Sequence, residues 1–305
     1  MKTTALRLWS AWSLTATSHA WLSSSPFRLA SLRLPTARAT STSNLDTDAT
    51  TKFVPPARVV RDVLPTVYVY DHCPFCVRVR FALGVKNVKH YVHFLANDDV
   101  PTPTALVGKK IAPVWVWPEA DIVMAESLDI CRLVDADERF GPVQAIRPAT
   151  ERTDIRDWQK SVQSLLRTLQ RPRYVATGLL PEFQQRDARD AFVANHQLPP
   201  YEKNEWKGSD GPTLAEKWQL YRDARDADPT QHLQALNEKL VELDELLDSE
   251  YHCSPGGLSY DDVDLFARLR SVTIVKGVQW PTKLRAYMDY MAELGDVPLY
   301  DAMAM

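Results

Sequence analysis

The chain has 305 residues, 45% hydrophobic and 25% charged, with a formal net charge of -3. That length and apolar content are enough for two packed domains. The near balance of charge leaves no basic footprint for nucleic acid, and four cysteines in so long a chain do not make a disulfide scaffold. No run of about 20 mostly apolar residues is present to span a membrane.

Residues 1–45 carry Lys2, Arg7, Arg28, Arg33 and Arg38, many Ser and Thr, and no Asp or Glu. An Arg-bearing, Ser-rich, acid-free start reads as an organelle transit peptide. The weak apolar run 6–20 ahead of it resembles the first part of a two-part plastid presequence, so plastid and mitochondrion both stay open. A disordered tail without an address is the alternative. Residues 46–62, polar with Pro55-Pro56, read as a linker. Residues 1–62 are therefore assigned to presequence and linker.

Residues 66–70 are β-branched and aromatic and predict a strand. Cys73-Pro74-Phe75-Cys76 follows at once and opens a helix predicted to about Gly84, with Cys76, Val79 and Leu83 on one face. Pro74 is tolerated in the first turn, and Gly84 is a natural C-terminal cap. A thiol at a helix N-terminus meets unpaired N–H groups and the helix dipole, which favour its thiolate. The thiolate attacks disulfides, and a second cysteine one turn later can reach back to resolve the product. A single C-x-x-C is also half of a zinc site or a structural disulfide. Zinc needs a second ligand pair, and Cys131 and Cys253 stand far apart outside any such motif.

A second strand is expected at 90–95 and a short helix at 102–108. Two strands, 113–117 and 122–125, form a hairpin, and a helix follows at 127–137, capped by Ser127. The order β-α-β-α-β-β-α is the thioredoxin arrangement, assigned to residues 63–141. In it the Ala112-Pro113 bond is expected to be cis, with the Ala112 backbone facing Cys73. The free N–H groups at Glu126-Ser127 suit a carboxylate. From residue 150 onward the chain is helix-forming, with helices predicted over 150–169 and 233–247. Ser259 and Asp262 form a capping box behind Leu258, Gly277 to Pro281 separates the last two helices, and 196–213 reads as a loop.

Several motifs now agree in order and spacing: Val69-Tyr70-Asp71-His72-Cys73-Pro74-Phe75-Cys76, Asn97-Asp98-Asp99 with Thr102-Pro103-Thr104, and Val107-Gly108-Lys109-Lys110-Ile111-Ala112-Pro113. Glu126-Ser127-Leu128-Asp129-Ile130, Pro172-Arg173-Tyr174, Leu258-Ser259 with Asp261-Asp262, Leu265-Phe266 and Trp280-Pro281 continue the series. Over about residues 64–305 the chain resembles the bacterial glutaredoxin 2 family, two-domain glutaredoxins with the glutathione transferase fold. It departs in Phe75, where tyrosine is usual, in Ala112, where valine is usual, and in the 1–62 extension.

The resemblance implies an α/β thioredoxin-like domain plus an all-α helical domain over 150–305, and a dithiol glutaredoxin using glutathione as cosubstrate. Cys73 would be the nucleophile that attacks glutathione mixed disulfides and protein disulfides, and Cys76 the resolving thiol. Glutathione would lie along Pro74, Phe75 and the Ala112-Pro113 backbone. Glu126 and Ser127 would hold its γ-glutamyl end, and Lys109, Lys110 or Arg78 would meet its glycine carboxylate. No resident metal, no nucleic acid or membrane partner, and a monomer are expected. The alternatives are an omega-type glutathione transferase or dehydroascorbate reductase, which often works without the second cysteine, and a glutaredoxin bridging an iron–sulfur cluster. A redox-gated membrane-inserting protein of the chloride-channel type shares the architecture but needs a long apolar segment.

Overall fold

The computed structural model describes residues 52–198, 201 and 203–305, so the presequence expected in residues 1–45 lies outside the described residues. The described residues form one compact unit. Its first part runs β1 (Thr66–Val69), α1 (Pro74–Val85), β2 (Tyr91–Phe94), α2 (Pro101–Val107), β3 (Val114–Trp117), β4 (Ile122–Ala125) and α3 (Ser127–Ala136). The sheet order is β2-β1-β3-β4. β1 is parallel to β2 and antiparallel to β3, which pairs antiparallel with β4. The parallel pair needs a crossover, and α1 supplies it. This is the expected thioredoxin-like order, and it sets Cys73 at the end of β1 where α1 begins.

α1 is buried on more sides than its predicted stripe. Beyond Cys76, Val79 and Leu83, the residues Val77, Phe81, Ala82 and Val85 are also buried. One side packs on the sheet and α3; the other meets the helical part, where the Phe81 and Phe266 rings lie 5.3 Å apart. A helix covered on two faces is an interior helix, and its two charged residues, Arg78 and Arg80, are paired with Asp264 and Asp71. Gly84 is not the C-cap expected of it. The helix runs on to Val85 and closes at Lys86 in right-handed geometry. Gly84 instead admits the backbone of Gly295, whose carbonyl oxygen would overlap any Cβ placed there.

The second part holds α4 (Thr153–Thr177), α5 (Arg186–Asn195), α6 (Lys203–Lys207), α7 (Leu214–Asp226), α8 (Thr230–Leu246), α9 (Tyr260–Leu269) and α10 (Thr282–Leu294). α4 continues past its predicted end at Leu169 and through Pro172. Its buried face, with Trp158, Val162, Leu169, Tyr174 and Val175, spans the proline, and that packing outweighs a helix penalty of about 3 kcal/mol. The loop expected over 196–213 contains α6, whose Trp206 is buried and donates to the Val193 carbonyl at 3.1 Å. At α9, Ser259 N–H donates to Asp262 Oδ2 at 2.9 Å, as the expected capping box requires.

Residues 53–61, read as linker from their composition, lie on the body. Phe53 N–H donates to the Tyr290 hydroxyl at 2.8 Å, Val59 forms a parallel bridge to Val88, and Arg61 pairs with Glu119. Among the described residues no helix is long and apolar enough to cross a membrane.

Candidate active site

Two cysteines one helical turn apart occupy opposite environments. Cys73 is the N-cap of α1, with φ -77° and ψ 120°, and is partly exposed; Cys76 is fully buried. The Cys73 thiol is lowered to about 6. A hydrogen bond from Cys76 is the chief cause and outweighs burial; the charge of His72 and the N–H groups of Phe75 and Cys76 add to it. The Cys76 thiol is pushed well up, first by burial and then by its bond to Cys73. Cys76 Sγ also accepts the Tyr70 N–H at 3.3 Å. The N–H groups at the helix N-terminus thus help to lower Cys73, whereas at Cys76 burial prevails.

The sequence-predicted glutathione residues lie at the head of α1, between α2 and β3, and at the start of α3. Pro74 is the first residue of α1, and Phe75 is 46% exposed, with the Arg78 guanidinium 4.9 Å from its ring centre. The Ala112–Pro113 peptide is cis, as expected, directly before β3. Glu126 is the residue flanking α3, at φ +76° and ψ 105°, and Ser127 is the first helical residue rather than the cap expected of it. A left-handed φ on a glutamate is uncommon and recurs where a ligand is held. Lys109 Nζ lies 3.4 Å from Glu126 Oε1, both side chains largely exposed. Lys110 turns away, donating to the Asn97 carbonyl at 2.5 Å. Arg78 is buried, donating to Ser127 Oγ at 3.3 Å and pairing with Asp264 of α9. It reaches a cleft of about 790 Å³ between α3, α4 and α9, not over Cys73.

The helical part contributes groups that sequence reasoning missed. Arg270 donates to the Asp71 carbonyl at 2.7 Å and to its carboxylate at 3.2 Å, and the Tyr300 hydroxyl donates to Asp71 Oδ2 at 2.8 Å. Glu182, in the short turn Pro181–Phe183, is fully buried and accepts from the His72 N–H at 2.9 Å. Its only advance signal is Pro181-Glu182-Phe183, a turn in a helical region. Cys131 and Cys253 are buried, and burial pushes both thiols up, Cys131 to about 12. They have the character of structural, unreactive thiols. Among the described residues no three His, Cys, Asp or Glu side chains are grouped to hold a metal.

The family model "Glutaredoxin 2, C terminal domain" matches residues 216–304, and "Glutathione S-transferase, N-terminal domain" matches residues 72–137. The chain is 32% identical over 240 residues to Glutaredoxin 2 of Escherichia coli strain K12, covering 78% of this chain and 99% of that protein. The same values hold for Glutaredoxin 2 of E. coli O157:H7. Among solved structures it is similar to Glutaredoxin 2 from Salmonella typhimurium in complex with glutathione. There the TM-score is 0.65 and the identity 30%, over 79% of this chain and 99% of that one. These similarities take in both parts of the glutathione transferase fold, the four-stranded sheet and the helical bundle. With the cysteine pair at the head of α1 and identity sustained across both parts, the chain belongs to the glutaredoxin 2 family.

Proposed function

We propose that this protein is a glutathione-dependent thiol–disulfide oxidoreductase, a dithiol glutaredoxin with Cys73 as nucleophile and Cys76 as resolving thiol. The observation that carries the reading is the inequality of the pair: a partly exposed thiol held near 6 beside a buried one pushed up. At neutral pH the first is mostly thiolate and the second is a protonated donor.

With a protein–glutathione mixed disulfide, Cys73 S⁻ attacks the glutathione sulfur and the protein leaves as a thiolate. Glutathione thiolate then attacks the glutathione sulfur of the Cys73 adduct, releasing glutathione disulfide and restoring Cys73 S⁻. With a protein disulfide, Cys73 forms a mixed disulfide with one protein sulfur. Cys76 gives up its proton and attacks Cys73, releasing the reduced protein and leaving a Cys73–Cys76 disulfide. Two glutathione molecules reduce that bond and are oxidised to one glutathione disulfide. In this reading the backbone of Ala112 aligns the cysteine residue of glutathione beside Pro74 and Phe75. Glu126 and Ser127 take its γ-glutamyl end, and Lys109 or Lys110 would reach its glycine carboxylate only on leaving its present partner, Glu126 or Asn97. The thioredoxin-like domain is taken as residues 63–141 and the helical domain as 150–305.

The test is glutathione-dependent reduction of a small mixed disulfide and of a protein disulfide by wild type, Cys73→Ser and Cys76→Ser. Cys73→Ser is expected to be inactive on both substrates. Cys76→Ser is expected to keep the first activity and lose the second. Full activity of Cys76→Ser on both, or dehydroascorbate as the far better substrate, overturns the dithiol reading.

A further inference from the structure

Glu182 comes from the helical part, 110 residues beyond His72, yet its carboxylate meets that residue twice. Oε1 accepts the His72 peptide N–H at 2.9 Å and lies 2.5 Å from Nδ1 of the ring. The Glu182 carbonyl also accepts the Asn97 N–H at 3.2 Å. One residue of the helical part thus anchors the loop before Cys73 and the loop after β2. Glu182 is fully buried, and its Oε2 has no hydrogen-bond partner. A buried carboxylate is costly unless its partner carries the opposite charge. The imidazole is caged by Tyr174, Phe183 and Phe192, with ring centres 5.0–5.3 Å away, so its orientation is set by packing as well as by the bond.

We infer that Glu182 is a positioning residue that acts on Cys73 through His72, holding the imidazole and the peptide that precede the attacking thiol. The inference rests on the proposed function only in taking Cys73 as the reactive thiol. Other ionisable groups around the ring do not substitute for Glu182. Tyr174 from α4 and Tyr70 from the same segment are kept protonated by burial. His196, stacked on the far side of Phe192, is lowered to about 3 by burial, with Arg171 and His72 itself acting in the same direction. Asp71, next in the chain, is occupied by Arg270 and Arg80. Glu182 is therefore the carboxylate that meets His72, and the charge of His72 is among the causes that favour the Cys73 thiolate.

The sign of the effect separates this role from bulk electrostatics. If Glu182 acted only as a negative charge near the sulfur, removing it would make Cys73 more acidic. If it acts through His72, removing it makes Cys73 less acidic. The measurement is the rate of Cys73 alkylation by iodoacetamide against pH in the full chain, for wild type, Glu182→Gln, His72→Phe and the double variant. Glutamine keeps an acceptor for the His72 N–H, and phenylalanine keeps a ring in the aromatic cage.

Each single variant is expected to raise the midpoint by about one pH unit. The double variant is expected to rise no further than either single, because both remove the same arrangement. A midpoint that is unchanged or lower in Glu182→Gln overturns the inference, as do additive shifts. Should Glu182→Gln not fold, His72→Phe decides alone: an unchanged midpoint overturns it. A wild-type midpoint in the ordinary cysteine range would instead count against the proposed function.

Discussion

The acidity of Cys73 depends on its partner more than on the helix that presents it. Burial alone would raise this thiol, and the hydrogen bond from Cys76 is the largest influence lowering it. Cys76→Ala removes that donor and leaves the helix N-terminus untouched. The alkylation midpoint of Cys73 is expected to rise from about 6 toward the ordinary range in this variant. Below the midpoint the wild-type rate should fall about tenfold per pH unit, since only the thiolate reacts. A Cys76→Ala midpoint equal to wild type would show that the dipole and His72 suffice. The cysteine pair was legible because its chemistry is local: strand, turn, helix start and two sulfurs within four residues. Ser127 was legible as a helix start, but the left-handed Glu126 before it was not. Nothing in a glutamate signals positive φ; the close succession of β4 and α3 imposes it.

The helices show where periodicity informs and where it misleads. The stripe of Cys76, Val79 and Leu83 identifies one buried face of α1, but a second face is buried by a partner nearly two hundred residues away. Gly84 has the same origin. Placed near a helix end it resembles a cap, whereas its role is to let α1 approach the end of α10 at Gly295. Gly84→Ala puts a methyl group into backbone rather than into a flexible side chain, so the helices must separate. A loss of about 2–3 kcal/mol is expected, seen as a Tm lower by roughly 4–10 °C. If Gly84 were merely a helix terminator, alanine at this right-handed position would be neutral or stabilising. α7 was missed for a different reason. Its start signal, Thr213 with Glu216, is present and forms in the structure, with Thr213 N–H donating to Glu216 at 2.8 Å. The neighbouring Pro and Gly residues obscured it.

Across the whole molecule, the loop that leads into Cys73 is held by the helical part through Asp71, Arg270 and Tyr300, all buried. Burial pushes the Asp71 carboxyl up, but Arg270 and then Arg80 outweigh it and hold it below the usual carboxylate range. Arg270→Met leaves a buried carboxylate short of its main partner, and a loss of about 3 kcal/mol is expected in denaturant unfolding. The pH dependence has a definite sign. Below 3.8, and until the native group itself protonates, the unfolded chain binds a proton that the native state does not. This contribution is therefore complete above 3.8 and lost as pH falls through the native value. Asp71→Asn should be less stable at neutral pH and show a flatter acid limb; an acid limb as steep as wild type would rule the network out as its source. These pairings were not legible, although Asp71 and His72 both belong to the cysteine motif. Their partners lie in the sequence at positions that only the docking of the helical part brings near.

The four cysteines also divide by access in a way that can be counted. Cys76, Cys131 and Cys253 have no exposed surface, and Cys73 alone opens to solvent. The reduced native protein should therefore take up a single bulky maleimide, and four once unfolded, each step visible as a discrete increment of mass. A label on Cys73 then reports its own environment without interference from the other three sulfurs. This chain thus carries a built-in, singly addressable attachment point at the head of α1.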